Sequence, residues 1–393
     1  GLIGTKGKST TTYYVKAILD TYLERVGKNE SAVISSIGTY DGVERFESHL
    51  TTPEPLDLER HFSNAVESKI DFVTMEVSSQ ALKYDRVLGV NFSVAAFLNI
   101  GYDHISSVEH PTWEDYFASK LRIFEQCTYG LVNLDSDHCD EILDAAKAAK
   151  RVITFSEAND TADFYGYDVH KVGNDIVFKV RGSDFDEEFK LSMPGLFNVS
   201  NALCAIAIAR LYDIPVRDIQ AGLYHAKVPG RMEIYTSNDK KITAIVDYAH
   251  NQLSFQKLFE SVRSEYPGYR ATIIFGCPGK KAKDRRHDLG EIAGKNADYI
   301  YLTEEDAGEE DPLTIAHEIA RAVEKEKAPY EIIIDREKAI ARAVEDAANV
   351  QGNTVILITG KGAETRQKRG TEYIPVMSDV ECVNLELKKY NEK

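Results

Sequence analysis

The chain has no CxxC pair. Its five cysteines, Cys127, Cys139, Cys204, Cys277 and Cys382, are scattered and odd in number. That excludes a disulfide framework and a standard zinc site, and reads as the reduced thiols of a cytoplasmic protein. No apolar run approaches the roughly 18 residues of a membrane-spanning helix, so no membrane association is expected. Positive charge is also scarce: 47 Lys and Arg stand against 63 Asp and Glu, for a net charge of -16. This argues against a nucleic-acid binder, and an anionic ligand would need a local basic pocket. No repeat or low-complexity tract is present. No signal peptide is visible and the first residue is Gly, so the natural start is expected to lie upstream.

What is present suits large buried cores: 43% of the 393 residues are hydrophobic and 28% charged. Short β-branched or aromatic runs ("AVISSIG", "IDFVTMEVSS", "FSVAAFLNI", "YGLVNLDSD", "RVITFS") alternate with helical stretches such as "WEDYFASKLRIFEQ". This is an α/β pattern with a mainly parallel sheet. Between about 160 and 193 the pattern turns to polar–apolar alternation, which predicts a small antiparallel β insertion. A second series, "ITAIVDYAH", "ATIIFGC", "ADYIYLTEED", "YEIIID" and "NTVILITGKG", predicts a five-stranded, open, doubly wound sheet. The domain boundary is placed at Gly230, giving domains 1–229 and 230–393.

The opening "GLIGTKGKSTTTYYV" is a strand stub, a Gly-rich turn and a helix start. Such a turn gathers backbone N–H groups around one anion, and the helix N-terminus adds partial positive charge. Gly4, Thr5, Gly7, Lys8, Ser9 and Thr10 would then cradle a nucleotide, with Lys8 on phosphate and Ser9 on Mg²⁺. Leu2 occupies the first Gly position of the standard pattern, so a G-x-x-G-x-x-G-K-S variant is present. A plain Gly-rich turn beside a helix start is the competing reading.

Read onward, the chain resembles the Mur ligase family, the ATP-dependent amide ligases of peptidoglycan precursor assembly. It looks most like the branch that adds the third amino acid to UDP-N-acetylmuramoyl-L-Ala-D-Glu, the UDP-N-acetylmuramoyl-tripeptide synthetase type. The matching segments are collinear: "GTKGKST", "TTPEPLDL", "MEVSSQAL", "NIGYDH", "EDYFASK", "GLFNVSNALCA", "PGRME", "VDYAH", "FGCPGKKAKDRR", "EEDP", "DREKAI" and "GKGAETRQ". The resemblance implies a P-loop central ATPase domain followed by a Rossmann-like domain. The family's N-terminal uridine-binding domain is not seen in the chain. It also implies a chemistry: the acceptor carboxylate attacks the γ-phosphate of ATP, and an amine displaces phosphate from the resulting acyl phosphate. A monomer is expected.

By the same resemblance, Lys8, Glu76, His104 and Lys120 form the catalytic set. Ser9 and Glu76 would hold one Mg²⁺. His104 and a carbamylated Lys120 would serve a second. Asn198 and Asn201 match adenine contacts, Asp247 a ribose contact, and Arg231 and Arg286 arginines of the ATP site. Thr51, Thr52, Ser78 and Arg86 match contacts to the UDP-muramoyl-peptide acceptor. Gln80 stands where the family usually has His, and His110 matches a nearby family histidine.

The diaminopimelate-adding members carry "DNPR" where this chain reads "EDAG", so Gly308 replaces the arginine that clamps a distal carboxylate. Glu304, Glu305, Asp306, Glu309 and Glu310 make the loop acidic, which favours L-lysine or another basic amino acid. Glu305, Gly360 and Glu364 are the expected amino-acid contacts. Two alternatives stay open: a Mur-like paralogue with a different acceptor, and a non-catalytic ATP-binding scaffold.

Overall fold

The computed structural model describes residues 1–392 apart from His49, Asp103, His104, Ser106, Ser107, Val108, Asn174, Lys281 and Ala282. The chain folds as two compact units, Gly1–Val228 and Pro229–Lys393.

In the first unit a seven-stranded sheet runs Leu2–Ile3, Phe92–Phe97, Cys127–Asn133, Arg151–Ser156, Phe164–Val172, Asp175–Arg181, Asp186–Leu191. The first five strands pair in parallel. "FSVAAF" is buried at five of its six positions, as a strand covered on both faces requires. The expected β insertion is antiparallel, but it is not a separate body: its strands continue the main sheet as an edge.

A four-stranded sheet, in the order Arg45–Glu47, Gly38–Tyr40, Ala32–Ile34, Val73–Met75, lies alongside. Glu76 joins the two sheets. Its N–H donates to the Ile34 carbonyl, and the residue bridges Leu2 in parallel. The strand end carrying this carboxylate is thereby fixed beside the Gly-rich turn. Ile3, Met75, Val77, Phe97 and Tyr116 are buried in one core beneath that junction.

The second unit holds a six-stranded sheet, ordered Glu233–Thr236, Ile242–Asp247, Thr354–Thr359, Arg270–Phe275, Tyr299–Leu302, Tyr330–Ile332. Five strands are parallel, and Glu233–Thr236 adds an antiparallel edge that the sequence reading lacked. A hairpin, Arg366–Arg369 with Glu372–Pro375, is a second element it lacked. Both are short and half-exposed, so they carry little hydrophobic signal. "TVILIT" is buried throughout. Asp247, Thr359 and Leu302 are the last residues of their strands, so the residues that follow gather at one end of the sheet, where open α/β sheets place ligands.

Candidate active site

The helix Lys8–Arg25 begins directly after Gly7, whose φ of 83° lies in the left-handed region. Gly7 has no side chain to cap the first turn, and a helix N-terminus presents amide donors and partial positive charge to an anion. The turn itself is rigid. Asn99, two residues beyond the strand Phe92–Phe97, accepts from the Lys6 N–H at 2.8 Å and donates to the Lys6 carbonyl at 3.0 Å. Thr5 Oγ1 accepts from the Gly101 N–H at 3.0 Å and lies 3.0 Å from the Tyr116 hydroxyl.

Two lysines converge on this turn. Lys8 Nζ donates to the Gly4 carbonyl at 2.9 Å, and so does Lys120 Nζ from the helix Trp113–Leu121. Lys120 is buried, and its ammonium lies 4.7 Å from the Tyr116 ring centroid.

On the other side, Ser9 Oγ lies 3.1 Å from Ser36 Oγ. The Ser36 N–H and hydroxyl donate to Glu76 Oε1 at 3.0 and 3.3 Å. Two hydroxyls and a carboxylate make an all-oxygen donor set, the chemistry a hard divalent cation takes. Thr10 is buried in the first turn of the helix.

The acceptor residues also cluster. Thr52 Oγ1 donates to the Glu76 carbonyl at 3.0 Å and accepts from the Ser78 N–H at 3.0 Å. Arg86 donates to the Thr52 carbonyl at 3.4 Å and pairs with Glu54 at 2.9 Å. Thr51 is half-buried at the edge of this group.

Asn198 and Asn201 share a helix face as expected, but both amides are buried and engaged. Asn198 donates to the Pro194 carbonyl at 2.6 Å and accepts from Asn201 at 3.0 Å. Asn201 also accepts from Thr11 at 3.3 Å and packs over Gly7, where an added Cβ would lie 2.2 Å from its Oδ1. They pack against the Gly-rich turn at Gly7. His104 lies outside the described residues. His110 is buried between Asp115, 2.7 Å from Nδ1, and Ser79, 2.9 Å from Nε2, so it is a packed structural histidine.

In the second unit, the Asp247 carboxylate accepts from the N–H groups of Met232 at 2.9 Å and Ala249 at 2.8 Å. The Arg231 guanidinium lies 4.3 Å from the Tyr248 ring centroid. Glu364 pairs with Lys361 at 2.5 Å, and Lys361 reaches Asp306 at 2.9 Å. Burial pushes the Glu364 carboxyl above its ordinary range, while Lys361 pulls it back. Glu305 stands against Gly360, where an added Cβ would lie 2.1 Å from its Oε2. Burial raises the Glu305 carboxyl to about 8, against the pull of Arg336 and Lys361.

The sequence reading counted the acids of the loop 304–310 and the arginine Arg286 without their partners. Glu304 pairs with Arg369, Asp306 with Lys361, Glu309 with Lys280, and Glu310 with Arg286. Arg286 is therefore no free cation offered to phosphate: its buried guanidinium is taken by Glu310 and by Glu318 at 2.6 Å. The basic run and the acidic loop neutralise each other.

The chain matches the Mur ligase middle domain over residues 3–209 and the Mur ligase glutamate ligase domain over residues 230–362. It belongs to the Mur ligase family. It is 37% identical over 393 residues to the UDP-N-acetylmuramoyl-L-alanyl-D-glutamate--L-lysine ligase of Streptococcus agalactiae serotype Ia, covering 98% of this chain and 76% of that protein. It is 34% identical over 377 residues to the UDP-N-acetylmuramoyl-L-alanyl-D-glutamate--2,6-diaminopimelate ligase of Caldanaerobacter subterraneus subsp. tengcongensis, covering 95% and 75%. Among solved structures, a UDP-N-acetylmuramoyl-L-alanyl-D-glutamate--2,6-diaminopimelate ligase shares the fold at a TM-score of 0.63 and 23% identity, covering 100% of this chain and 78% of that one. The folylpolyglutamate synthase of Mycobacterium tuberculosis shares it at 0.70 and 17% identity, covering 91% and 87%.

As a Mur ligase the chain is an ATP-dependent, ADP-forming amide ligase. The sequence reading did not single out Asn99, Ser36 and Tyr116, which bond around the Gly-rich turn in the first unit, nor Tyr248 and Lys361, which bond to Glu364 in the second. Asn99 and Ser36 share one legible signal, a polar residue just after a buried strand. Among the described residues, no helix of this Mur ligase is long and apolar enough to cross a membrane.

Proposed function

We propose that this ligase joins L-lysine, or another basic amino acid, to a D-glutamyl carboxyl of UDP-N-acetylmuramoyl-L-alanyl-D-glutamate. The observation that carries the amide-ligase half is the convergence of Lys8 and Lys120 on the Gly4 carbonyl, with Ser9 linked through Ser36 to Glu76. That arrangement supports a terminal phosphate met by the Lys8 cation and the helix N-terminus, with Lys120 beside it. Ser9 and Glu76 would hold Mg²⁺, with Ser36 orienting both. Lys120, if carbamylated, and His104 would serve a second Mg²⁺. The metal would supply charge neutralisation on the phosphate oxygens.

Thr52 and Ser78, fixed to the backbone at Glu76, hold the acceptor so that its carboxylate faces the phosphate, and Arg86 meets its charge. Arg231 and Asp247 engage the nucleotide. Glu364 and Glu305 receive the incoming amino acid.

Gly308 supports a basic amino acid over diaminopimelate. It holds no side chain to clamp a second carboxylate, and an added Cβ there would meet nothing nearer than 3.6 Å, so the position is open. Glu305 is a buried acid whose carboxyl, raised to about 8, would give up its proton to pair with an incoming ammonium group.

Phosphate release by the full-length protein, supplied with the muramoyl dipeptide and one amino acid at a time, tests this. L-lysine or L-ornithine is expected to exceed diaminopimelate by about 10-fold or more, as loss of a buried charge partner costs. Diaminopimelate as the best substrate would overturn the amino-acid choice. Silence with every muramoyl acceptor would overturn the acceptor.

A further inference from the structure

Arg231 and Glu364, assigned above to the nucleotide and to the amino acid, meet on one side chain that neither assignment uses. The Arg231 guanidinium sits 4.3 Å from the centre of the Tyr248 ring. On the far end of that ring, the Tyr248 hydroxyl donates to Glu364 Oε1 at 2.8 Å. Lys361 holds the other carboxylate oxygen at 2.5 Å, so Glu364 is pinned at both oxygens. The ring is itself fixed. His250 crosses it edge-on at 5.1 Å and hydrogen-bonds the Tyr248 carbonyl through Nδ1 at 2.7 Å. The preceding residue, Asp247, is tied down by two backbone N–H groups. Burial keeps the phenol protonated, so its hydroxyl is a permanent donor towards Glu364.

We propose that Tyr248 is a positioning residue for both substrates: its ring seats Arg231 for the nucleotide, and its hydroxyl aims Glu364 at the amino acid. This rests on the function proposed above. The two halves of the role reside on different atoms, so they separate by substitution. Tyr248→Phe keeps the ring and removes the hydroxyl. Tyr248→Leu removes both.

The test measures KM for L-lysine and kcat by phosphate release, and Kd for a non-hydrolysable ATP analogue by calorimetry, in the full-length protein. For Tyr248→Phe the expected result is a rise of about 10-fold in KM for L-lysine, the scale of a hydrogen bond to a charged group. Its kcat stays within about threefold, and its analogue Kd within about twofold. For Tyr248→Leu the analogue Kd also rises, by about 3-fold or more, as a partly buried cation–π contact is lost. A purely structural tyrosine would move all three quantities together in both variants, and that result overturns the proposal. So does a Phe variant with wild-type KM for L-lysine. If the Leu variant fails to fold, the Phe variant alone decides the hydroxyl half. If the wild-type protein releases no phosphate with dipeptide and lysine, the functional assignment fails instead, and the analogue Kd values still decide the ring half.

Discussion

Lys8 and Lys120 donate to the same atom, the carbonyl oxygen of Gly4, each at 2.9 Å. Two ammonium groups drawn to one carbonyl repel each other, and Lys120 is buried, where that repulsion is screened less than in water. Conversion of Lys120 to a carbamate anion would turn the repulsion into attraction. Lys120→Ala is therefore expected to lower kcat by about 100-fold or more, the scale of losing one preorganised charge. Added formate or acetate should recover part of it. The readout is phosphate release with and without the acid; a loss that no small carboxylate rescues contradicts the carbamate.

Gly7 meets two constraints at once. Its φ of 83° disfavours any side chain, and an added Cβ would lie 2.2 Å from Asn201 Oδ1, on an amide already bonded to Thr11 and Asn198. Gly7→Ala should cost about 1–3 kcal/mol of stability, the range for a strained backbone position. It should also weaken binding of a non-hydrolysable ATP analogue by about 10-fold, since the shifted turn no longer presents its amides. Adding Asn201→Ala relieves the clash and leaves the backbone strain, so the double variant recovers only in part. Calorimetry and thermal melts read both quantities.

Ser36 acts through Glu76. Ser36→Ala keeps the N–H to Glu76 Oε1 and removes the hydroxyl that links Ser9 to the carboxylate. The Mg²⁺ concentration for half-maximal activity should rise by about 10-fold, as when a group orienting a metal ligand is lost. KM for L-lysine should not move. An unchanged Mg²⁺ dependence would remove Ser36 from the metal site.

Much of this was legible in the sequence, and the failures share a cause. The Gly-rich turn before a helix, the strand-end acid Glu76 and the two α/β series are written in local patterns that a strand or helix period exposes. Asn99, Ser36 and Tyr248 act through partners distant in the chain, which periodicity does not report. The loop around Glu305 shows the same effect in charge. Its acids look exposed when counted along the chain, yet their partners Arg369, Lys361, Lys280 and Arg286 arrive from other elements. The identity of an acid was visible; its pairing was not.

Glu305 carries a pH signature. Its folded carboxyl titrates at about 8, raised by burial from an ordinary value of 4.5. Below the ordinary value both folded and unfolded chains hold the proton. As pH rises from there towards about 8, the unfolded chain releases it first, so stability falls; above about 8 the loss is complete and level. Glu305→Gln removes this dependence. The melting temperature of the variant minus that of the wild type should grow between about pH 5 and 8. A flat difference contradicts a buried, proton-holding Glu305.

The central claim is that an acceptor carboxylate becomes phosphorylated before the amine displaces phosphate. An acceptor labelled with ¹⁸O in its D-glutamyl carboxyl, incubated with ATP, L-lysine and the full-length protein, tests it directly by mass analysis of the released phosphate. One labelled oxygen transferred from carboxyl to phosphate at each turnover is the predicted result. Phosphate released without label while the amide forms would contradict it.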